Sequence, residues 1–252
     1  MKKFIFYTVF GTLMLFNCRF ALASVQEDIE QANKAGKTVF LVVTEQGNKD
    51  TAQALEIARG AQKLAPETAV LEMNRTDVSN SLFIATNRLA DAPVPLIVVI
   101  ASNGVLAGGM TAEKASPDSL VKMIPSPGKA EVVKALGAGN AVFVVASRAT
   151  MGDRLKVIEL CKNASKELKD KAVTVALDMD DKKEATFLQQ LGVDMAYQGS
   201  ATFVINAQGQ LTGNFLGPVE VAELTKAATA KGGGCGAGRG CGPSSKGCGP
   251  RR

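Results

Sequence analysis

Three closely spaced cysteines, Cys235, Cys241 and Cys248, are the residues of this chain best suited to chemistry. Each is followed by glycine, and nearby lysine and arginine side chains favour the thiolate form. Such thiolates could bind a soft metal such as Cu(I) or Zn(II), exchange disulfides with a partner, or form an intermolecular disulfide in an oxidising compartment. Their odd number favours intermolecular pairing or a three-ligand metal site over internal disulfides.

Histidine is absent from all 252 residues, and this excludes several classes of site. No Ser-His-Asp or Cys-His nucleophile pair, histidine general base or histidine-ligated zinc can form. The spacing of the three cysteines also differs from that of closed zinc sites. Cys161 falls within an apolar helical pattern, where we expect it to be a small buried residue.

The first 23 residues are typical of an export signal. Lys2 and Lys3 precede an apolar stretch at 4–16, which is short for a membrane span. Small residues at 21–23 then predict cleavage between Ala23 and Ser24. We therefore expect a mature protein in the periplasm or secreted from the cell. The apolar runs after Ser24 predict no transmembrane segment in the mature chain.

Residues 231–252 form a basic segment rich in glycine and cysteine, without a large apolar side chain. Such a segment buries too little surface to offset the entropy of ordering, so we expect a disordered tail. Of 29 basic residues, five lie in this tail and three in 1–23, leaving 21 bases against 24 acids between them. This slightly acidic body argues against a nucleic-acid partner.

The body of the chain contains an internal repeat. The apolar run Thr38–Val43 corresponds to Ala141–Ala146 at an offset of 103, and Val70–Asp77 corresponds to Val173–Asp180. Unalternating apolar runs indicate strands buried on both faces, and helical patterns separate them. The order predicts two α/β units, each with a mixed central sheet flanked by helices. Their predicted bounds are 24–125 and 140–230, joined by a linker with a short helix at 126–139.

Both units resemble thioredoxin-like domains of exported proteins. In the first unit the resemblance depends on Ile29–Leu41, where a helix leads through Gly-Lys into a strand, and on Val94–Pro95, where that superfamily has a cis-proline. In the second unit it depends on Leu191–Val193, Thr202–Val204 and Phe215–Pro218. The resemblance implies two tandem thioredoxin-like domains.

The residues responsible for catalysis in that superfamily are missing here. Its enzymes place Cys-x-x-Cys after the first long strand, at the start of a helix whose dipole and free amides favour the thiolate. The corresponding segments, 44–50 and 147–153, contain no cysteine, and Ala201 replaces the second cis-proline. The resemblance therefore implies that neither position exchanges dithiols by the superfamily's mechanism.

These observations predict a binding scaffold rather than an enzyme. By family analogy, grooves beside Val94 and Pro95, and beside Ser200 and Ala201, would contact another exported protein or an extended peptide. The cysteine tail would add thiol or soft-metal binding. The alternative is a thiol–disulfide oxidoreductase in which a tail cysteine serves a domain without a dithiol of its own.

Overall fold

The computed structural model describes residues 24–231, which form two units with the same order of elements. The first unit has four helices and four strands: α1 (Val25–Lys34), β1 (Thr38–Thr44), α2 (Thr51–Leu64), β2 (Thr68–Asn74), α3 (Ser81–Thr86), β3 (Leu96–Ile100), β4 (Leu106–Thr111) and α4 (Pro117–Lys122). The second repeats them: α5 (Pro127–Gly137), β5 (Ala141–Ser147), α6 (Arg154–Glu167), β6 (Ala172–Asp178), α7 (Ala185–Leu191), β7 (Ala201–Ile205), β8 (Leu211–Leu216) and α8 (Val221–Thr229).

Each unit is built on its own four-stranded mixed sheet. The strand orders are β2-β1-β3-β4 and β6-β5-β7-β8. In both sheets the first two strands are parallel, and the last two add in antiparallel fashion as a hairpin. The helix after the first strand makes the crossover to the second, parallel strand. Both units have the mixed sheet flanked by helices that is expected of a thioredoxin-like fold, as predicted.

The unalternating apolar runs of the sequence are the central strands. Every residue of β1 and of β5 is buried, because helices cover both faces of each sheet. In the first domain α1 and α3 pack on one face, and α2 and α4 on the other. The second domain repeats this arrangement with α5 and α7 opposite α6 and α8.

The segment at 126–139, predicted to be a linker with a short helix, contains a helix. Helix α5 lies there and packs against β5 and β6, so it is the first helix of the second domain. The Pro-Ser-Pro-Gly sequence marks a helix start, with Ser126 as the cap and Pro127 in the first turn. The Glu184 carboxylate secures this end, accepting hydrogen bonds from the Gly128 N–H at 2.7 Å and the Ser126 hydroxyl at 2.6 Å.

Across residues 24–231, the helices are too short or too polar to cross a membrane.

Candidate functional site

The first candidate site is the corner where the loop after β1 meets the start of β3. The Val94–Pro95 peptide bond is cis, in agreement with the predicted position of the cis-proline. The Asn48 side chain donates a hydrogen bond to the Val94 carbonyl at 3.4 Å. Pro95 is buried and Val94 is half-buried. The loop that would contain a dithiol in the superfamily is therefore attached to the cis-proline segment by an amide.

An arginine joins the three loops around this corner. Arg75, just after β2, forms an ion pair with Glu45, just after β1. Its guanidinium also donates a hydrogen bond to the Ala92 carbonyl at 2.5 Å, in the segment before β3. The Arg75 side chain is 18% exposed and that of Glu45 39%. Hydrogen bonds from one planar guanidinium fix the relative positions of all three loops.

The second candidate site is the equivalent corner, where the loop after β5 meets the start of β7. The Asp153 carboxylate, at the N-terminus of α6, accepts hydrogen bonds from the Ser200 N–H at 3.0 Å and from the Ser200 hydroxyl at 2.9 Å. Ser200 is fully buried and Ala201 is 5% exposed. The polar groups of Ser200 that point toward the loop are thus already bonded within the domain.

A second arginine joins the loops of this corner. Arg148, just after β5, donates hydrogen bonds to the Asp180 carboxylate at 3.1 Å and to the Met195 carbonyl at 2.9 Å. Asp180 lies just after β6, and Met195 lies in the segment before β7. This network connects the same three loops as the Arg75 network, but the arginine and the carboxylate have exchanged loops.

The residues predicted for the grooves differ in accessibility. Val94 alone retains appreciable exposure, whereas Pro95, Ser200 and Ala201 are buried. A partner could therefore reach the second corner only through the residues that flank Ser200 and Ala201. The predicted cleavage residue Ala23 and the tail residues Cys235, Cys241 and Cys248 lie outside the described residues.

The one cysteine within residues 24–231 is a free thiol that packs in the core. Cys161 is fully buried on α6, as expected. Burial raises the pKa of its thiol to about 11, and the nearby Thr202 hydroxyl offsets this only in part. The thiolate is the nucleophilic form, so Cys161 is unreactive near neutral pH. The same part of the chain contains no cluster of three or more Cys, Asp or Glu side chains arranged to hold a metal ion.

The polar networks at the two corners were not predicted from the sequence. Arg75, Arg148 and Asp153 look like ordinary surface residues, and their partners are 17 to 47 positions away. One feature of the sequence could have indicated these networks. Glu45 and Arg148 occupy equivalent positions of the repeat and have opposite charges, as expected if the arginine and the carboxylate of a salt bridge exchange loops.

Comparison with known proteins gives matches only among solved structures. No protein-family model and no curated protein sequence matches the chain. The human ERp44 zinc-bound form matches 80% of this chain and 56% of its own at 11% identity, with a TM-score of 0.36. The first two thioredoxin domains of Saccharomyces cerevisiae Eps1p match 83% of this chain and 97% of their own at 9% identity, with a TM-score of 0.32.

A third match is the N-terminal domain of the alkylhydroperoxide reductase AhpF from Enterococcus faecalis. It covers 81% of this chain and 98% of its own at 11% identity, with a TM-score of 0.25. The chain spans little more than half the length of ERp44. The likeness to these proteins concerns the fold alone.

Proposed function

We propose that this chain is an exported, tandem thioredoxin-like scaffold that binds another exported protein or an extended peptide without catalysing dithiol exchange in its domains. Cys235, Cys241 and Cys248 would supply thiols to that partner or bind a soft metal, Cu(I) or Zn(II). The observation that best supports the proposal is the absence of a dithiol at both corners, together with the hydrogen bonds that hold each loop there. At both positions where the superfamily has its dithiol, the loop is cysteine-free and bonded to the segment before the third strand.

The two domains, residues 24–231, lack the nucleophile that dithiol exchange requires. Thiol–disulfide exchange begins with attack by an accessible thiolate on a disulfide sulfur. Among residues 24–231 the only thiol belongs to Cys161, which is fully buried and has a pKa raised to about 11. The two domains therefore offer no accessible thiolate within the described residues, and the proposal assigns thiol chemistry to the tail.

The two corners differ in how strongly the residues that would contact a partner are bonded within their own domain. At the first corner Val94 is half-buried, and its carbonyl is held by the single long bond from Asn48. At the second corner Asp153 accepts both the N–H and the hydroxyl of buried Ser200. A peptide that pairs with the residue before the third strand must compete with one weak bond to Val94 in the first domain, and with charge-assisted bonds from both the N–H and the hydroxyl of Ser200 in the second. The arginine networks are present at both corners and do not separate them. We assign the main contact to the first domain.

An insulin-reduction assay tests the scaffold against the oxidoreductase. The mature chain 24–252 is compared with a variant carrying Cys235→Ser, Cys241→Ser and Cys248→Ser, and with Cys161→Ala as a matched control outside the tail. The scaffold predicts that all three proteins leave the rate at that of dithiothreitol alone. Catalysis by the mature chain that is lost in the triple variant but kept in Cys161→Ala would establish the oxidoreductase.

Metal binding by the tail is tested separately. Mature protein purified without oxygen is loaded with Cu(I) or Zn(II) and desalted, and its metal content is measured beside the triple serine variant. Metal binding predicts about one equivalent on the mature chain and far less on the variant. A metal content below about a tenth of an equivalent on both proteins would contradict metal binding by the tail. The tail cysteines would then act as thiols only.

A further inference from the structure

Strand β6 is the outer strand of the second sheet and pairs only with β5 within residues 24–231. A groove of about 430 Å³ lies beside it, lined along its length by residues 173–178 and closed on one side by Pro127 and Gly128 of α5. An outer strand with open space alongside presents a row of unpaired backbone N–H and C=O groups. Such an edge is able to accept another strand.

The equivalent strand of the first domain is protected, whereas β6 is not. Glu72 lies in the middle of β2, is exposed, and pairs in register with Val42. The equivalent residue of β6, in register with Val145, is Ala176, which is also exposed. The strand register therefore places β6 at an offset of 104 from β2, one residue more than the offset of 103 expected from the sequence repeat. A charged side chain in the middle of an outer strand opposes edge-to-edge pairing. Strand β6 has no charged residue from Ala172 to Leu177.

The net charges at the two ends of β6 are opposite in sign. At the C-terminal end Asp178 and Asp181 are exposed, with Glu131 of α5 beside the same groove; the exposed Lys182 and Lys183 that follow leave a net charge of −1 over 178–183. Just before the strand begins Lys169 and Lys171 are exposed on either side of Asp170, which gives a net charge of +1 over 169–171. If a second copy of β6 pairs in antiparallel orientation, the lysine end of each strand faces the aspartate end of the other. A parallel pair would instead place like charges together.

We propose that two copies of this chain associate through the outer edges of β6, in antiparallel orientation and about a two-fold axis. The interface is then self-complementary, because each copy contributes the same strand and the same two charged ends. Backbone hydrogen bonds join the two second-domain sheets into one continuous sheet. The pairing uses none of the groove residues Val94, Pro95, Ser200 and Ala201, although its aspartate end lies beside Asp180, the partner of Arg148 at the second corner. The proposal does not rest on the proposed scaffold function.

The first test is sedimentation equilibrium of the mature chain 24–252 carrying the three tail Cys→Ser changes, which remove disulfide cross-links. We expect a concentration-dependent dimer. Ala176→Glu gives β6 the charge that β2 has in Glu72, and it should raise the dissociation constant at least about tenfold. Ala176→Thr is the matched control, because threonine suits a strand and is uncharged. It should leave the dimer intact, and circular dichroism should show the same fold for all three.

The second test exchanges the charges. Lys171→Glu places two carboxylates opposite each other at both ends of the interface, and Asp178→Lys does the same with two ammonium groups. Each variant alone should dimerise at least about tenfold more weakly. An equimolar mixture should recover the dimer, because one end of the mixed pair then joins the two introduced charges, which are opposite in sign. The other end joins the original Lys171 and Asp178. A purely structural effect of either change would not be rescued by mixing.

Several results would overturn the proposal. They are a monomer at all accessible concentrations, a dimer indifferent to Ala176→Glu, or two charge variants that fail to recover on mixing. A further one is a monomeric mature chain that becomes dimeric after removal of 232–252, since the edge would then be occupied by the tail of the same chain.

Discussion

At the two corners an arginine joins the same three loops, but the arginine and its carboxylate partner lie on opposite loops in the two domains. In the first domain Arg75 reaches from the loop after β2 to Glu45, and in the second Arg148 reaches from the loop after β5 to Asp180. Each arginine also donates a hydrogen bond to a carbonyl before the third strand. Because the connection persists although the charges have exchanged loops, its role is to hold the loops together.

The first helix of each domain shows a related difference. In the first domain the buried Asn80 side chain accepts a hydrogen bond from the Val25 N–H at 3.2 Å. In the second domain the equivalent residue is Glu184, which accepts from Gly128 and Ser126. A carboxylate at a helix N-terminus makes charge-assisted bonds and interacts favourably with the helix dipole. The first helix of the second domain is therefore attached more strongly than that of the first.

The largest effect is expected from Gly128→Ala. A Cβ at this position would lie 2.1 Å from Cδ2 of Leu177 and 2.9 Å from Oε2 of Glu184. Leu177 is 2% exposed and cannot move away without disturbing the core. We expect a loss of about 3 kcal/mol in the free energy of unfolding, since overpacking distorts both the core and the helix cap. Urea unfolding measures the loss, and hydrogen–deuterium exchange should locate it in the second domain.

Gly137→Ala is the matched control in the same helix. A Cβ there has no neighbour within 4 Å. Alanine favours the helical backbone, so this change should be neutral or stabilise by up to about 1 kcal/mol. Equal destabilisation by both substitutions would show that general sensitivity of α5, and not the Leu177–Glu184 contact, explains the result.

The next effect compares the two helix caps directly. Glu184→Ala leaves the buried Gly128 N–H without its partner and should cost about 2 kcal/mol. Asn80→Ala removes two neutral bonds, the one accepted from the Val25 N–H at 3.2 Å and the one donated to the Asn74 carbonyl at 3.0 Å, and should cost about 1 kcal/mol. Both are measured by urea unfolding, with exchange of α5 and α1 peptides showing which helix loosens. An Asn80→Ala effect as large as that of Glu184→Ala would contradict the stronger attachment of the second domain.

A third difference lies at one buried position of the second helix. Cys161 on α6 corresponds to Ala58 on α2, and both are fully buried. The pKa of Cys161 is raised from 9.0 to about 11. Between these values the unfolded chain loses the thiol proton first, so the second domain loses stability as pH rises from about 9 to about 11. Below pH 9 this contribution is fully present.

Cys161→Ala makes the two domains alike at this position. We expect it to remove the alkaline loss of stability, while costing about 1 kcal/mol at neutral pH through lost packing. The measurement is urea unfolding at pH 7 and at several points up to pH 11, in the background without tail cysteines. An unchanged alkaline slope would assign the pH dependence to another group. In the variant that lacks the tail cysteines but retains Cys161, the Cys161 thiol should not react with thiol reagents at pH 8 until denaturant is added.

The sequence patterns that predicted the fold are those that depend on local burial. The all-apolar runs at Thr38–Val43 and Ala141–Ala146 identify strands covered on both faces, and their repetition identifies two domains. The sequence indicates the helix α5 but not its packing, because Pro125–Gly128 is compatible with a linker as well as with a helix start. The choice depends on Glu184, 56 positions away from Gly128. Polar contacts between residues so far apart produce no periodic pattern in the sequence. Both arginine networks were therefore found only in the structure.

The smallest expected effect is the difference between the two arginine networks themselves. Side-chain exposures are 18% and 39% for Arg75 and Glu45, against 22% and 66% for Arg148 and Asp180. Water screens an exposed carboxylate and competes for its hydrogen bonds, so double-mutant cycles to alanine should give a coupling of about 1 kcal/mol for the first pair and below about 0.5 kcal/mol for the second. Added salt should weaken the Arg148–Asp180 coupling more. If the second pair coupled as strongly as the first, exposure would not set the strength of these contacts. The Met195 carbonyl, to which Arg148 also donates a hydrogen bond, would then have to orient the guanidinium for Asp180.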